Sequence, residues 1–175
     1  MAHINVEIKA RCEDPRAVRA YLEKKGAEHR GTDHQTDTYF RVTTGRLKLR
    51  EGSIENNLIY YERDNQAGPK LSSFQLVKVP DAAGLKAVLA RSIGVKVVVE
   101  KKRDIFYISN VKFHIDEVPG LGAFVEIEAG NLLADFSWEQ LLEQCDFYMA
   151  ELGIRPEALL EVSYSDLLLE KAANG

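Results

Sequence analysis

Along one strand-like stretch after another, this chain carries charged residues at every second position, on the face where a closed sheet would ordinarily keep its apolar filling. Glu7 and Lys9 sit in INVEIKA, Lys48 and Arg50 in RLKLRE, Tyr61 and Arg63 in LIYYERD, and Lys101 and Arg103 in VEKKRDIFYI. His114 and Asp116 follow in VKFHIDEV, then Glu126 and Glu128 in FVEIEAG, with Lys78 in SFQLVKV placed less regularly. Side chains of a strand alternate between its faces, so each pair projects to one side. Val6, Ile8, Leu47, Leu49, Ile105, Phe113, Ile115, Val125 and Ile127 are expected on the other. If helices cover the apolar side, the charged side lines a cavity. That cavity cannot be dry, because each unpaired buried charge costs several kcal/mol. Cations on some strands and carboxylates on others suit a polyanion held jointly by the cations and by a carboxylate-bound divalent metal. A nucleoside triphosphate or another polyphosphate fits that description.

Composition narrows the field. At 175 residues, 45% hydrophobic and 29% charged, the chain reads as one globular domain over 1–171 with a frayed tail at 172–175. A formal net charge of −4 argues against a general binder of nucleic acid or of acidic membranes, which needs a net basic surface. Cys12 and Cys145 are too few and too far apart for a disulfide framework or a zinc site, so free thiols are expected. MAHINVEIKA has charges where a signal peptide needs an apolar core, and no apolar run approaches the roughly twenty residues of a membrane span. A cytoplasmic protein is expected.

The order of elements points to an α+β fold. A strand from His3 to Arg11 precedes a helix opened by Asp14 and Pro15, with Val18 and Leu22 at helical spacing. Short β segments at Glu28 to Gly31, Asp37 to Val42, Arg46 to Glu51 and Asn57 to Arg63 read as antiparallel hairpins. Ser72 to Val79 adds a strand, Asp81 caps a helix through Ile93, and strands follow at Val95 to Ile108, Asn110 to Glu117 and Ala123 to Ala129. An amphipathic helix from Ser137 to Leu152 and a short helical tail, SYSDLLLEK, complete the chain. These elements predict a closed or nearly closed antiparallel β-barrel of about eight strands with helices packed outside, wide enough for one small ligand.

The motifs resemble a known family. NVEIKA resembles the ExExK signature of the CYTH superfamily, shared by class IV adenylyl cyclases, thiamine triphosphatases and inorganic triphosphatases, whose strands form a triphosphate tunnel. QTDTYF, LKLRE, YYERD, VEKKRD, HIDEVPGLGAFVEIE and SYSDLL follow in the family's order over nearly the whole chain. DTYFRVTTGRLKLRE and LIYYERDNQAGPK look most like the bacterial class IV adenylyl cyclases. The resemblance implies Glu7, Asp116, Glu126 and Glu128 as metal-binding carboxylates, with Asp116 as ligand or orienter, and Mg²⁺ or Mn²⁺ as the ion. It implies Lys9, Lys48, Arg50, Arg63, Lys70, Lys101 and Arg103 as the phosphate clamp, and Glu7, Lys9 and Glu126 as the catalytic set. A homodimer is also implied. Asn5 stands where the signature has its first acid, and an uncharged amide would weaken a second metal site.

Conversion of ATP to cyclic AMP and pyrophosphate leads, with triphosphate hydrolysis as the alternative and a binding module of little turnover as a third reading. The same clamp serves a ribose hydroxyl attacking the α-phosphorus and a water attacking the terminal one. Blander accounts exist for single motifs. EIE at Glu126 to Glu128 could be the solvent face of a strand, and PGLGAF reads better as a hairpin turn than as a phosphate loop. His3, His29, His34 and His114 have no metal-binding spacing and are set aside, His114 as a polar neighbour of a wet cavity. Asp37 and Tyr39 are expected to face inward.

Overall fold

Among residues 3–132 and 135–175, which this computed structural model describes, eight antiparallel strands close into one barrel. They are β1 (His3–Arg11), β2 (Glu28–Phe40), β3 (Arg46–Glu51), β4 (Asn57–Arg63), β5 (Lys70–Lys78), β6 (Val95–Ile108), β7 (Val111–Val118) and β8 (Gly122–Gly130). Around the ring the order is β1-β5-β4-β3-β2-β6-β7-β8, and β8 pairs back to β1. The helices are α1 (Pro15–Lys24), α2 (Ala82–Ser92), α3 (Trp138–Glu151) and α4 (Tyr164–Asn174).

Helix placement follows from the apolar face of the sheet. The Asp14 carboxylate accepts from the backbone N–H groups of Arg16 and Ala17, with Pro15 at the first helical position, and α1 then buries Val18 and Leu22. Ser137 and Gln140 cap the start of α3 reciprocally, and α3 buries Leu141 and Cys145. These four side chains pack with Val6, Ile8, Phe113, Ile115, Val125 and Ile127 into the main core, outside the barrel wall of β1, β7 and β8. Helix α2 covers Phe40 and Leu49 of β2 and β3 with Leu85 and Leu89. Helix α4 lies at one end of the barrel, where Tyr164 joins Tyr39, Tyr61, Val99 and Phe124. Both cysteines are free, Cys145 buried and Cys12 partly so.

Four expectations are corrected. The two short segments between Glu28 and Val42 are one strand, β2, paired along most of its length with β6 and irregular between His29 and Gly31. Its inward residues Asp33, Gln35 and Asp37 are polar and buried, which hides the strand from an apolar pattern. Ile105, expected on the outer face, pairs with His114 and shares the parity of Lys101 and Arg103, so it faces the interior. Strand β5 starts at Lys70, two residues before Ser72. Helix α4 extends to Asn174, past the SYSDLLLEK segment read as helical, and Lys171 Nζ donates to the Gly120 carbonyl oxygen at 2.8 Å.

Candidate functional site

Inside the barrel, register alone brings the charged residues together. Glu7 stands opposite Glu128 and Lys9 opposite Glu126 across β1 and β8, while His114 stands opposite Glu126 and Lys112 opposite Glu128 across β7 and β8. Arg103 faces Asp116 across β6 and β7, and Asp37 faces Arg50 across β2 and β3. Directly opposed residues share a face. The result is a cavity of about 190 Å³ lined by Glu7, Lys9, Lys48, Arg50, Arg63, Lys101, Arg103, Glu126 and Glu128, together with Glu55, Lys112 and His114.

Two buried aspartates hold the basic side chains in place. Asp37 accepts from Arg50 Nε and Nη2 at 2.9 and 2.8 Å, from Lys101 Nζ at 2.7 Å and from Lys48 Nζ at 3.2 Å. Burial alone would raise its pKa, but Arg50, Lys101 and Lys48 outweigh that and hold the carboxyl well below the usual range. For Lys101 burial acts in the other direction and draws the ammonium well below the ordinary lysine value, against the pull of Asp37. Asp116 accepts from Arg103 Nε and Nη2 at 2.7 Å each and from the Tyr164 hydroxyl at 2.7 Å. Its oxygens are committed to these donors, and it does not line the cavity. Asp116 therefore orients Arg103.

Lys70 is likewise placed away from the cavity lining. Its Nζ donates to the backbone carbonyl oxygens of Leu160 and Glu161 at 2.9 and 2.7 Å, which ties β5 to the segment before α4. Burial, and then the nearby Arg63, lower its pKa to about 8. Arg63 differs. Nη1 donates to Glu7 at 2.5 Å, but the buried Nε and Nη2 find no acceptor among the described residues. A buried guanidinium with unused donors is costly unless an anion arrives.

The acidic half of the cavity has the complementary deficit. Glu126 lies 3.5 Å from Lys9 Nζ, 3.3 Å from Arg103 Nη2 and 3.8 Å from His114 Nδ1. Donor atoms of His114, Glu126 and Glu128 all lie within 4.8 Å of one another. Burial, then the adjacent Glu126 and Glu7 charges, push Glu128 well above the usual carboxylate pKa, whereas Lys9, His114 and Arg103 overcome burial to hold Glu126 low. His114 is driven down to about 3, by burial first and then by Arg103, so its imidazole is neutral. Both of its ring nitrogens are buried without a hydrogen-bond partner among the described residues. The crowded carboxylates are oxygen ligands suited to a hard divalent cation such as Mg²⁺ or Mn²⁺, and the neutral, unpartnered imidazole beside them adds a nitrogen donor that Mg²⁺ takes less readily than Mn²⁺.

Glu55, Lys112 and His114 stand in the cavity although no motif singles them out for chemistry. Lys112 shares the strand parity of His114 and Asp116, a signal that was available. His114 is masked by the lack of any local ligand spacing, since its neighbours come from β8. Glu55 lies in the β3–β4 turn, where alternation carries no information.

Comparison with known proteins bears on the family and the fold. The CYTH domain model matches residues 3–133. A Methanocaldococcus jannaschii protein whose name assigns it provisionally to the adenylate cyclases is 27% identical, over 94% of this chain and 98% of its own. The structure of a Pyrococcus horikoshii protein superposes with a TM-score of 0.79 at 23% identity, covering 93% of this chain and 98% of that one. A Hippeastrum protein, described as a provisional adenylyl cyclase with a dominant triphosphatase activity, superposes with a TM-score of 0.63 at 13% identity, covering 98% and 96%.

Proposed function

The chain belongs to the CYTH domain family, and from that premise we propose that it is a metal-dependent adenylyl cyclase, converting ATP to cyclic AMP and pyrophosphate. The observation that supports a metal-bound triphosphate as substrate is the pairing of two deficits in one cavity, and the cyclase chemistry rests on the likeness to the Methanocaldococcus jannaschii protein. Unused donors of Arg63 await an anion, and the Glu126, Glu128 and His114 cluster awaits a cation. A metal-bound triphosphate answers both.

Glu7, Glu126 and Glu128, with the neutral His114, would hold the ion, and the ion would lower the pKa of the attacking hydroxyl and offset charge on phosphate oxygens. Lys9, Lys48, Arg50, Arg63, Lys101 and Arg103 bind the phosphates, Arg63 through its unused guanidinium donors and the others as positioned charges, since Arg50 and Arg103 already spend their forks on Asp37 and Asp116. Lys9 Nζ sits 3.7 Å from the centre of the Tyr164 ring as well as against Glu126, so its ammonium is aimed before any substrate enters. The ribose hydroxyl gives its proton to water as its oxygen bonds to the α-phosphorus, the bond from that phosphorus to the bridging oxygen breaks, and these cations stabilise the negative charge that builds on the departing pyrophosphate. Catalytic roles fall to Glu7, Lys9 and Glu126, which stand on adjoining strands. Asp116 supports them through Arg103.

A second reading, hydrolysis of a triphosphate, is favoured by the Hippeastrum protein's described activity and uses the same cations with water as nucleophile. Incubation with ATP and Mn²⁺ decides between them. Cyclic AMP with stoichiometric pyrophosphate is the expected result, and release of free phosphate with no cyclic AMP would replace the first reading by the second. Tight triphosphate binding with no product under either metal would make the protein a binding module, which Asn5→Glu should then convert into an enzyme.

Arg63 offers a milder test of the clamp than Arg103, since its removal takes one contact from Glu7 whereas removal of Arg103 takes two from the fully buried Asp116. Arg63→Met is expected to weaken inorganic tripolyphosphate binding by about 10- to 100-fold, the range for one or two charge-assisted hydrogen bonds. Isothermal titration calorimetry checks this. An unchanged affinity would remove β4 from the binding surface.

A further inference from the structure

Glu55 does not belong to a strand, and nothing in the alternation of the barrel obliges it to enter the cavity. A second carboxylate brings it there. Buried Asp33 accepts from the Ser53 backbone N–H at 2.7 Å, the Ser53 hydroxyl at 2.9 Å, the Ile54 N–H at 3.0 Å and the Glu55 N–H at 3.1 Å. A Cβ on Gly52 would run into the same carboxylate, so only glycine lets the turn fold this close to β2. The turn is fixed in a shape that delivers one acidic side chain.

What Glu55 meets is basic. Its Oε2 accepts from Arg50 Nη1 of β3 at 3.1 Å and from Gln35 Nε2 of β2 at 3.1 Å, and its Oε1 accepts from Lys112 Nζ of β7 at 2.7 Å. Strands β2 and β6 stand between β3 and β7 on the shorter way round the ring, so the carboxylate bridges part of the lumen. It stands between an arginine and a lysine that both line the cavity, two cations that could each pair with a phosphate oxygen in its stead.

Given the triphosphate substrate proposed above, we propose that Glu55 sets the length of phosphate chain the cavity accepts, ending the anion path between Arg50 and Lys112. A phosphoryl group that advances past the clamp meets a fixed carboxylate, and like charges at that distance repel. A chain that stops short leaves Glu55 on its own partners. Longer polyphosphates are discriminated against by charge, without any need for the cavity to be too short.

The test compares inorganic tripolyphosphate with inorganic tetrapolyphosphate by calorimetry on the full chain, for the wild type, Glu55→Gln and Glu62→Gln. Glutamine keeps the shape and one acceptor while removing the charge. Glu62 is an exposed carboxylate on β4 and controls for bulk charge. The expected result is a wild-type preference for tripolyphosphate, and a rise of about tenfold in the tetra-to-tri affinity ratio in Glu55→Gln alone. The same ratio in wild type and Glu55→Gln would overturn the assignment, as would an equal change in Glu62→Gln. If the wild type bound neither compound, the triphosphate reading would fall and take this role with it. Thermal unfolding confirms that the variants compared are folded.

Discussion

Glu126→Gln is expected to lower metal-dependent turnover by about a thousandfold while the unfolding midpoint moves by no more than roughly 4 °C. Glu126 is the residue on which the two halves of the cavity converge, touching Lys9 and Arg103 on the basic side and standing next to His114 and Glu128 on the acidic side. An amide keeps the volume and still accepts a hydrogen bond, but it supplies no charge to a divalent ion and leaves burial, with Glu7, to raise the Glu128 pKa without the Glu126 charge. Stability should be nearly unaffected, because Arg103 retains its two-point contact with Asp116 and Lys9 remains over the Tyr164 ring. Steady-state rates with saturating Mn²⁺ measure the first quantity and a thermal melt the second. Turnover within a few fold of wild type would remove the acidic cluster from the reaction.

Asp37→Asn should have the largest effect on stability, a loss of about 3–5 kcal/mol in urea unfolding at neutral pH. Three cations converge on this carboxylate, and all are buried or nearly so; the substitution leaves Arg50, Lys101 and Lys48 facing one another with no anion between them. The acid dependence follows from the sign of the shift. The folded-state pKa of Asp37 is depressed, so its contribution is present above the unfolded value near 3.9 and is lost as pH falls through the lower folded value. The gap between wild type and Asp37→Asn should therefore narrow as pH drops below about 4. Tripolyphosphate should also stabilise the variant more than the wild type, since it supplies the missing negative charge. A variant as stable as wild type at pH 7 would mean that these contacts contribute little and that Asp37 is replaceable.

Much of the barrel was legible because its two faces differ so sharply in chemistry. Val6 and Ile8 against Glu7 and Lys9, or Val125 and Ile127 against Glu126 and Glu128, fix which side of a strand meets the helices, and closure then follows from the number of such strands. What alternation cannot convey is which neighbour a side chain finds. Asp116 and Lys70 face inward as their parity requires, yet one is occupied by Arg103 and Tyr164 and the other by backbone carbonyls of Leu160 and Glu161. The partners lie between 13 and 91 residues away in sequence. Glu55 was beyond reach for a different reason. Its entry into the lumen depends on Asp33 gathering the donors of a turn, a tertiary arrangement with no periodic trace.

Closure of the ring also bears on how this molecule can fail. Among the described residues each strand is laced to a neighbour on both sides, so the barrel offers no edge strand to template the growth of fibrils or to swap with a second copy; only stretches such as β2 before Thr36 and β6 before Lys102 are paired on one side alone. The same lacing opposes piecemeal fraying. Amide protons of β1, β7 and β8 should exchange with deuterium slowly and nearly in concert, at a rate set by rupture of the whole hoop and not by peeling of any one stave.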